Sequence, residues 1–441
     1  MKLSSNNTKY KKKEEILDKL FSFQRFGIKP GLGRTKNLLS FIENPQNHFH
    51  SVHVAGTNGK GSVCSMLASV LIEAGYKTGL YTSPHLVTFN ERISINGKLI
   101  SDDELIKLAE ELLPFAESIK ATFFEITTAM AFKYFSDNKV EIAVIETGMG
   151  GRFDSTNVLS PLVSIITKID YDHSEYLGNT LEKITYEKAG IIKEGKPVVI
   201  SKNNKIVYDV IRKKCKAKEC ELILADESLK CDDFTYKEDL TMNISMKSDV
   251  CSYPSVNAGI AGSHQIDNLK TVWSAIKIVG RNFTISKESI CNGFINVVKN
   301  TNFHCRTELI NKDYPIVMDV AHNPDAVKQT VSTFIDCGLE RKKWNIVFAL
   351  MSDKDALNIL KYLKLICSRL IITKPDIDRA AEPMDLKIKA LEAGIKNIVI
   401  TNNVKEAAEL VLSKKQPILV IGSFYLLGEF IPHLNSFGKN S

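Results

Sequence analysis

Residues 55–62 read AGTNGKGS and follow a candidate strand, FHSVHV, at residues 49–54. In a glycine-rich turn of this kind backbone N–H groups face a phosphate chain, and a helix that starts beside the turn adds its positive end. Lys60 is placed to reach the terminal phosphates, and Ser62 can offer a hydroxyl to Mg²⁺. Apolar residues then recur with helical spacing at positions 63, 66, 67, 70 and 71. The segment predicts a strand, a phosphate-binding loop and a helix, and with them a site for ATP or GTP.

The spacing of this loop departs from the common pattern G-x-x-x-x-G-K-[ST], because Gly61 is inserted between Lys60 and Ser62. A chance cluster of glycines is the alternative interpretation. The strand pattern before the loop and the helical pattern after it argue against that alternative.

Composition narrows the class of protein. The 441 residues predict two domains, and a hydrophobic content of 44% is ordinary for a globular chain. The net charge of +7 comes from basic residues scattered among nearly as many acidic ones, which does not favour nucleic-acid binding. No apolar run approaches the length of a membrane span, and the nine cysteines show no metal-ligand spacing. We therefore expect a cytoplasmic protein with reduced thiols, and a monomer.

The alternation of apolar runs with helical patterns predicts α/β layers around mostly parallel sheets. We expect a phosphate-binding ATPase-like domain at residues 1–299, with a small antiparallel element near residues 240–246, and a Rossmann-like α/β domain at residues 300–441. Helices are expected at residues 101–116, 124–135 and 266–279. The predicted strands lie at residues 49–54, 77–81, 140–146, 162–167, 197–201, 315–320, 345–350, 370–373, 398–401 and 418–421.

Polar clusters follow four of the predicted strands, where ligands bind in open α/β sheets. Glu146 leaves its strand with a carboxylate, which suits Mg²⁺, and Ser83 offers a hydroxyl oxygen. His173 is less expected as a Mg²⁺ ligand, and a lone loop histidine is more often structural. The clusters read TSPH at 82–85, ETGMGGR at 146–152, KIDYDH at 168–173 and DVAHNP at 319–324.

Lys188 shares one helical face with three apolar residues, at positions 181, 184 and 191. The spacing predicts that its side chain points inward. A lysine whose stem lies along the helix edge while its ammonium reaches water is one interpretation. A functional lysine near phosphate or metal is the other, and the pattern leaves both open.

Together these motifs resemble the folylpolyglutamate synthase/dihydrofolate synthase family, which is related to the muramyl ligases of cell-wall synthesis. The resemblance spans nearly the whole chain, and the TSPHL and ETGMGGR-D-STN blocks are specific to the folyl branch. It is carried by FGIKPGLGR (26–34), HVAGTNGKGS (53–62), YTSPHL (81–86), NERI (90–93), FFEITTAMAF (123–132), ETGMGGRFDSTN (146–157), TKIDYDHSEYLGNT (167–180), EKAGIIK (187–193), GSHQIDN (262–268), DVAHNP (319–324) and IGSFY (421–425).

The resemblance implies a role for each matching residue, with Lys188 carried as a carbamate, and no organic cofactor besides ATP. The ATP contacts would be Asn58, Gly59, Lys60, Gly61, Ser62, Asn268, Arg306 and Asp319. The ligands of what are expected to be two Mg²⁺ ions would be Ser62, Ser83, Glu146, His173 and Lys188. The catalytic set would be Lys60, Lys188, His173, Asp319 and His322. The pterin contacts would be Thr122, Phe123, Phe124, Glu125 and Phe153.

Two departures from the family pattern affect the second domain. The family usually has D-G-A-H-N-P, whereas Val320 stands here in place of glycine. The family also has P-G-R before its second-domain strand, and this chain has Phe303-His304-Cys305-Arg306. Because valine does not easily adopt a positive φ, the geometry near Val320 must differ if the family's glycine needs one.

The activity that the resemblance implies is ATP-dependent addition of L-glutamate to folates through an acyl phosphate. Whether 7,8-dihydropteroate is also an acceptor stays open. A muramyl-type ligase acting on a UDP-sugar is the close alternative. A nucleotide switch is the distant one, since residues 167–170 read TKID and superficially copy the guanine-reading N-K-x-D. The expected partners are small molecules, with no nucleic acid and no membrane.

Overall fold

A computed structural model describes residues 2–27, 31–248 and 252–437. Residues 28–30, within the motif at 26–34, therefore lie outside the described part. The chain divides into two compact units. The first comprises the residues up to Pro84, Asn90–Leu229 and Asn268–Asn302, and the second comprises His85–Phe89, Lys230–Asp267 and the residues from Phe303 onward.

The first unit contains a sheet of eight strands, and five of them confirm predicted strands within two residues at each end. The three that were not predicted are the short β3, β4 and β8. The strands are β1 (His50–Ala55), β2 (Thr78–Tyr81), β3 (Ile93–Ile95), β4 (Lys98–Leu99), β5 (Ile142–Glu146), β6 (Val163–Ile166), β7 (Val198–Ile200) and β8 (Leu222–Leu224).

The order across this sheet is β4-β3-β2-β5-β1-β6-β7-β8. Along this order the six strands β2, β5, β1, β6, β7 and β8 pair in parallel. The strands β3 and β4 add an antiparallel edge next to β2. All residues of β5 and all but the first of β1 are buried. Burial on both faces explains the continuous apolar sequence of β5 from Ile142 to Ile145, whereas β1 also buries Ser51 and His53. Because β1, β2, β5 and β6 run in one direction, the loops that follow them leave the same edge of the sheet.

Helices cover this sheet, and their starts follow local capping chemistry. Ser101 and Glu104 form a reciprocal capping box at the start of the helix that begins at Asp102. The helices up to residue 302 are α1 (Lys2–Ser22), α2 (Gly33–Phe41), α3 (Lys60–Glu73), α4 (Asp102–Ser118), α5 (Phe123–Asp137), α6 (Ser174–Leu177), α7 (Leu181–Lys188), α8 (Lys205–Ala217), α9 (Ala225–Ser228), α10 (His264–Val279), α11 (Lys287–Ile295) and α12 (Val297–Thr301).

The second unit contains a three-stranded antiparallel sheet and a six-stranded mixed sheet. The three-stranded sheet, in the order β11-β10-β9, confirms that an antiparallel element lies near residues 240–246, although we expected it within the first domain and the structure groups it with the second unit. The six-stranded sheet has the order β12-β13-β17-β14-β15-β16. The strands are β9 (Lys230–Tyr236), β10 (Met242–Lys247), β11 (Ser252–Ala258), β12 (Glu308–Asn311), β13 (Ile316–Asp319), β14 (Trp344–Phe348), β15 (Cys367–Ile372), β16 (Ile398–Ile400) and β17 (Ile418–Ile421).

In the six-stranded sheet only β12, which was not predicted, runs antiparallel to its neighbour. The other five strands are parallel, as in a Rossmann-like domain. Within the described ranges no helix is both long and apolar enough to cross a membrane. The helices of this unit are α13 (Pro324–Asp336), α14 (Ala356–Leu363), α15 (Pro383–Glu392), α16 (Val404–Leu412) and α17 (Phe424–Phe437).

Candidate active site

The loop between β1 and α3 has the backbone that its glycines predict. Gly59 is the N-cap of α3, with a φ of 86° that an L side chain rarely adopts. A Cβ added at Gly59 would lie 2.5 Å from the Oδ1 of Asn268. Asn268 therefore packs directly against the loop, as expected for two predicted ATP-binding residues. Ser62 is buried in the first turn of α3.

The segment after β6 holds this loop in place. The backbone amides of Thr57 and Asn58 donate to the carbonyl oxygen of Lys168, at 2.8 and 3.1 Å. The hydroxyl of Thr167 donates to the carbonyl oxygen of Asn58 at 2.8 Å. The residues at 167–170 thus support the phosphate-binding loop through hydrogen bonds.

Glu146 brings a buried carboxylate to the loop from the end of β5. One of its oxygens, Oε1, lies 3.9 Å from the Nζ of Lys60, and the other, Oε2, accepts a hydrogen bond from the backbone amide of Ser83 at 3.2 Å. The Glu146 side chain is only 6% exposed. The structure thus brings together Lys60 from the start of α3, Ser83 from the loop after β2 and Glu146 from the end of β5.

Lys188 ends α7 with its side chain directed into the protein, which confirms the predicted inward position. The residue is 4% exposed, and its Nζ donates to the carbonyl oxygen of Gly56 at 2.8 Å. Burial is the larger cause and the positive charge of Lys60 the second, and together they lower the pKa of Lys188 to about 7. An amine with this pKa is unprotonated in a large fraction of molecules near neutral pH. Its role as a carbamate stays a prediction.

His173 lies in the loop after β6 and precedes α6 with a φ of 52°. Its Nε2 lies 3.7 Å from a carboxylate oxygen of Asp172, and its side chain is 37% exposed. Within the described part of the chain, no three His, Cys, Asp or Glu side chains are grouped to hold a metal. Mg²⁺ is often bound through one or two carboxylates together with waters and phosphates. A site with Glu146 as its carboxylate and Ser83 as a hydroxyl ligand would be of this kind.

The predicted pterin residues Thr122 and Glu125 form the start of α5. The Thr122 hydroxyl accepts from the Glu125 amide at 3.4 Å, and the Glu125 Oε2 accepts from the Thr122 amide at 2.7 Å. The Nε of Arg34 also donates to that oxygen at 3.1 Å. Both residues are buried, so their side chains fix the end of the helix that presents Phe123 and Phe124.

The two phenylalanines at the start of α5 have different surroundings. Phe124 lies against Gly148 in the loop after β5, because a Cβ on that glycine would lie 2.5 Å from the Phe124 ring. Phe123 instead stacks on Phe21 at 5.4 Å and has the guanidinium of Arg92 over its ring at 5.4 Å. Phe124 therefore faces the loop that begins at Glu146, whereas Phe123 packs against α1.

Phe153 lies in the same loop and is 43% exposed. The guanidinium of Arg152 lies over its ring, 4.6 Å from the centroid. Arg152 also lies 3.6 Å from a carboxylate oxygen of Glu187. The ring is thus held at the surface by an arginine that is itself held by α7.

Asp154 organises this loop and was missed by the sequence reasoning, although it lies inside the motif at 146–157. Its carboxylate accepts from the amides of Gly148, Met149 and Thr156 at 2.8, 3.0 and 3.0 Å. Burial raises the pKa of Asp154 despite these hydrogen bonds. The clue in the sequence was an Asp two residues before a Thr in a glycine-rich loop, which is typical of local side-chain to backbone bonding.

In the second unit, Asp319 ends β13 with a fully engaged carboxylate. Its Oδ2 accepts from the Thr307 amide at 3.0 Å, the Thr307 hydroxyl at 2.6 Å and the Thr330 hydroxyl at 2.9 Å. Its Oδ1 accepts from the Ala321 amide at 2.8 Å. The Nδ1 of His322 donates to the carbonyl oxygen of Val320 at 2.9 Å. Asp319 therefore ties the Arg306 turn and α13 to the end of β13.

Comparison with known proteins identifies the family. The Mur ligase middle domain matches residues 54–276, and the glutamate ligase domain of Mur ligases matches residues 305–424. The dihydrofolate synthase/folylpolyglutamate synthase of Bacillus subtilis is 35% identical over 92% of this chain and 95% of its own length. This chain belongs to the folylpolyglutamate synthase/dihydrofolate synthase family.

Two further family members extend the likeness. The dihydrofolate synthetase of Saccharomyces cerevisiae is 34% identical over 94% of this chain and 100% of its own length. The structure of Mycobacterium tuberculosis folylpolyglutamate synthase complexed with ADP has a TM-score of 0.86 at 26% identity, covering 96% of this chain and 99% of that one. The Mur ligase fold with two α/β parts is therefore common to this chain and to solved members of the family.

The departures from the family pattern have a structural explanation. Cys305 stands where the family's P-G-R has glycine, and its φ is 61°. The turn thus keeps a backbone suited to glycine, and such a residue costs about 1 to 3 kcal/mol when it is not glycine. The Glu308 carboxylate accepts from the Cys305 amide at 2.6 Å and holds this turn. Val320 is not among the residues with positive φ, and its buried side chain packs in the core of the sheet.

Proposed function

We propose that this chain is an ATP-dependent ligase that forms an amide bond between a carboxyl group of a folate and the α-amino group of L-glutamate. One observation carries the proposal: the buried Glu146 carboxylate lies beside Lys60 at a phosphate-binding loop to which Lys188 is hydrogen-bonded from below. Anionic and cationic groups at such a loop suit phosphoryl transfer to a carboxylate. The family members named above supply the substrate class.

The reaction proceeds in two steps. The γ-phosphate of ATP passes to the substrate carboxylate, which gives an acyl phosphate and ADP. The amine of L-glutamate then attacks the acyl carbon, and the tetrahedral intermediate collapses to the amide with release of phosphate. No protein nucleophile is needed, so the protein contributes positioning and electrostatic stabilisation. Lys60 and the amides at the start of α3 offset the charge that develops on the transferred phosphoryl group.

The residues that would hold Mg²⁺ are Ser62, Ser83, Glu146, His173 and Lys188 in its carbamylated form. When bound, the ions neutralise phosphate charge. The geometry supports carbamylation in two ways. Burial leaves the amine of Lys188 unprotonated, and so nucleophilic, in a large fraction of molecules near neutral pH. A carbamate nitrogen also keeps one N–H, which can still donate to the Gly56 carbonyl.

The acceptor is proposed to place its ring system against Phe124, since that side chain faces the loop that starts at Glu146. The other residues of the proposed pterin-binding segment are Thr122, Phe123, Glu125 and Phe153. In the second unit, Asp319 is proposed to act by fixing the turn that carries Arg306. His322, whose Nδ1 donates to the Val320 carbonyl oxygen, is proposed to act beside Asp319 in the reaction.

The test is an ATP-to-ADP assay with Mg²⁺ and L-glutamate, run separately with 7,8-dihydropteroate and with tetrahydrofolate, with products identified by mass. Turnover with both acceptors establishes a bifunctional enzyme, and turnover with tetrahydrofolate alone a folylpolyglutamate synthase. Turnover with neither, or turnover that needs a UDP-sugar or GTP, would contradict the proposal. Light scattering during gel filtration tests the accompanying proposal that the chain is a monomer.

A further inference from the structure

Arg306 is surrounded by two aromatic rings in the second unit. Its guanidinium carbon lies over the ring of Phe303, 4.4 Å from the centroid, and over the ring of Phe424, 5.2 Å from the centroid. Both distances are within the range in which a cation is attracted by the face of a ring. One ring comes from the segment before β12 and the other from the first residue of α17.

The backbone on either side of Arg306 is fixed by hydrogen bonds. Cys305 and Thr307 both have positive φ, at 61° and 49°. The Glu308 carboxylate holds the Cys305 amide, and the Asp319 carboxylate holds the Thr307 amide and hydroxyl. The turn therefore determines where the Arg306 side chain starts. It does not determine where the guanidinium ends, because an arginine side chain has several rotatable bonds.

We propose that Phe303 and Phe424 form a guanidinium slot that positions Arg306, and that both are positioning residues for the ligase reaction. This inference rests on the proposed function and on the ATP contact that the family resemblance implies for Arg306. A planar guanidinium recognises phosphate through two parallel N–H groups, so its orientation matters as well as its charge. Two ring faces restrict that orientation before ATP arrives, which lowers the entropic cost of binding.

One ring of the slot comes from the segment in which this chain departs from the family pattern. Phe303 stands two residues before the position at which the family has glycine, at the start of the Phe303-His304-Cys305-Arg306 segment. The Nη1 of Arg306 donates to the Cys305 carbonyl oxygen at 3.1 Å, which adds a polar contact at the base of the slot. Phe424 also lies 6.1 Å from the ring of His322, centroid to centroid. One aromatic side chain thus adjoins two proposed substrate-binding residues.

Chemical rescue tests the slot. In Arg306→Ala the two rings remain, so methylguanidinium at millimolar concentration should bind between them and raise turnover by about tenfold in a saturable manner. In the double variant Arg306→Ala with Phe303→Leu the rescue should be lost. Ammonium, which has the charge but not the planar shape, should rescue poorly. Equal rescue with and without Phe303 would overturn the proposal.

Two controls separate positioning from folding. Phe424→Tyr keeps the ring and should retain turnover, whereas Phe424→Leu keeps similar bulk and should raise the KM for ATP by about tenfold with a smaller change in kcat. Phe41→Leu removes an exposed ring that stacks on Phe115, far along the chain from this turn, and should leave both constants unchanged. An equal effect of Phe424→Leu and Phe424→Tyr would contradict a role for the aromatic face.

A readout that does not need turnover distinguishes failure of the slot from failure of the proposed function. Ring currents should shift the side-chain proton resonances of Arg306 upfield in the NMR spectrum of the intact chain, and Phe303→Leu should reduce that shift. Methylguanidinium should likewise show saturation transfer with Arg306→Ala and not with the double variant. If both signals are present while ligation is absent, the slot stands and the ligase assignment falls. If both are absent, the slot is rejected.

Discussion

The ammonium of Lys188 donates to the carbonyl oxygen of Gly56, the second residue of the AGTNGKGS loop, over 2.8 Å. A buried lysine is thereby fixed beneath a phosphate-binding loop, with Lys60 close enough to lower its pKa. Two lysines facing one small region need anions beside them, and the Glu146 carboxylate, 3.9 Å from the Nζ of Lys60, is one. Phosphate groups of ATP or a carboxylate on Lys188 would each add a further anion.

The first prediction concerns Lys188→Ala. The variant removes the amine that is proposed to be carbamylated, so turnover should fall on the order of 100- to 1000-fold, while ATP binding by calorimetry changes little. Lys183→Ala, on the exposed side of the same helix, is the matched control and should behave like the wild type. Near-normal turnover of Lys188→Ala would remove this residue from the reaction.

The second prediction concerns Glu146→Gln, which removes a buried negative charge and keeps the shape of the side chain. Because the carboxylate is proposed to bind Mg²⁺, the Mg²⁺ concentration for half-maximal rate should rise by about tenfold or more. The measurement is a Mg²⁺ titration of ADP release. Glu182→Gln, at an exposed position of α7, should leave the titration unchanged. An unaltered Mg²⁺ requirement in Glu146→Gln would argue against this ligand.

The third prediction separates two adjacent phenylalanines. Phe124→Leu should raise the KM for the folate acceptor by about tenfold, because its ring faces the Gly148 loop. Phe123→Leu should instead lower the free energy of unfolding by about 1 kcal/mol, because it loses stacking on Phe21. Steady-state kinetics and urea unfolding of both variants provide the comparison. The reverse assignment of effects would show that Phe123 is the substrate contact.

The fourth prediction concerns pH and His53, a fully buried residue of β1. Burial lowers the pKa of His53 to about 3, so between pH 6.5 and about 3 the unfolded chain binds a proton that the folded protein does not. Stability should therefore fall as the pH falls through this window, by about 2 kcal/mol from His53 alone at pH 5.

The tautomer of His53 follows from the hydrogen bonds of its neighbours. The Thr156 hydroxyl donates to Asp154, so the Nε2 of His53 must donate to that hydroxyl over 2.7 Å. His53→Gln can keep this donor without titrating, and urea unfolding between pH 7 and 5 should show a shallower loss of stability. His50→Gln, at an exposed position of the same strand, is the control. Parallel pH profiles for wild type and His53→Gln would count against the burial argument.

Most of the buried parallel strands could be predicted from the sequence, because their apolar runs are long and are bounded by polar loops. The strand β5 was predicted at residues 140–146 and lies at Ile142–Glu146. The strand β4 escaped prediction because its two residues are too few for a pattern to show. The strands β8 and β12 escaped because each is a short strand at the edge of its sheet, with no fully buried residue to mark it as part of the core.

The candidate site was predictable where function depends on sequence spacing. The inward position of Lys188 follows from helical periodicity alone, and the loop around Lys60 follows from its glycines. The difference between Phe123 and Phe124 could not be predicted, because it depends on packing against α1 and against the Gly148 loop. The Phe303 and Phe424 pair was also beyond prediction, since its members are far apart in the chain and meet only around Arg306.

The hydrogen bonds from Thr57 and Asn58 to Lys168 have a kinetic consequence. A phosphate-binding loop that is already hydrogen-bonded to its neighbouring segment does not need to fold around an arriving nucleotide. Association should then show a single phase whose observed rate rises linearly with nucleotide concentration, without the plateau that a slow isomerisation imposes. Thr167, through its hydroxyl on Asn58, would accordingly spare nucleotide capture a slow step by keeping the loop in one conformation.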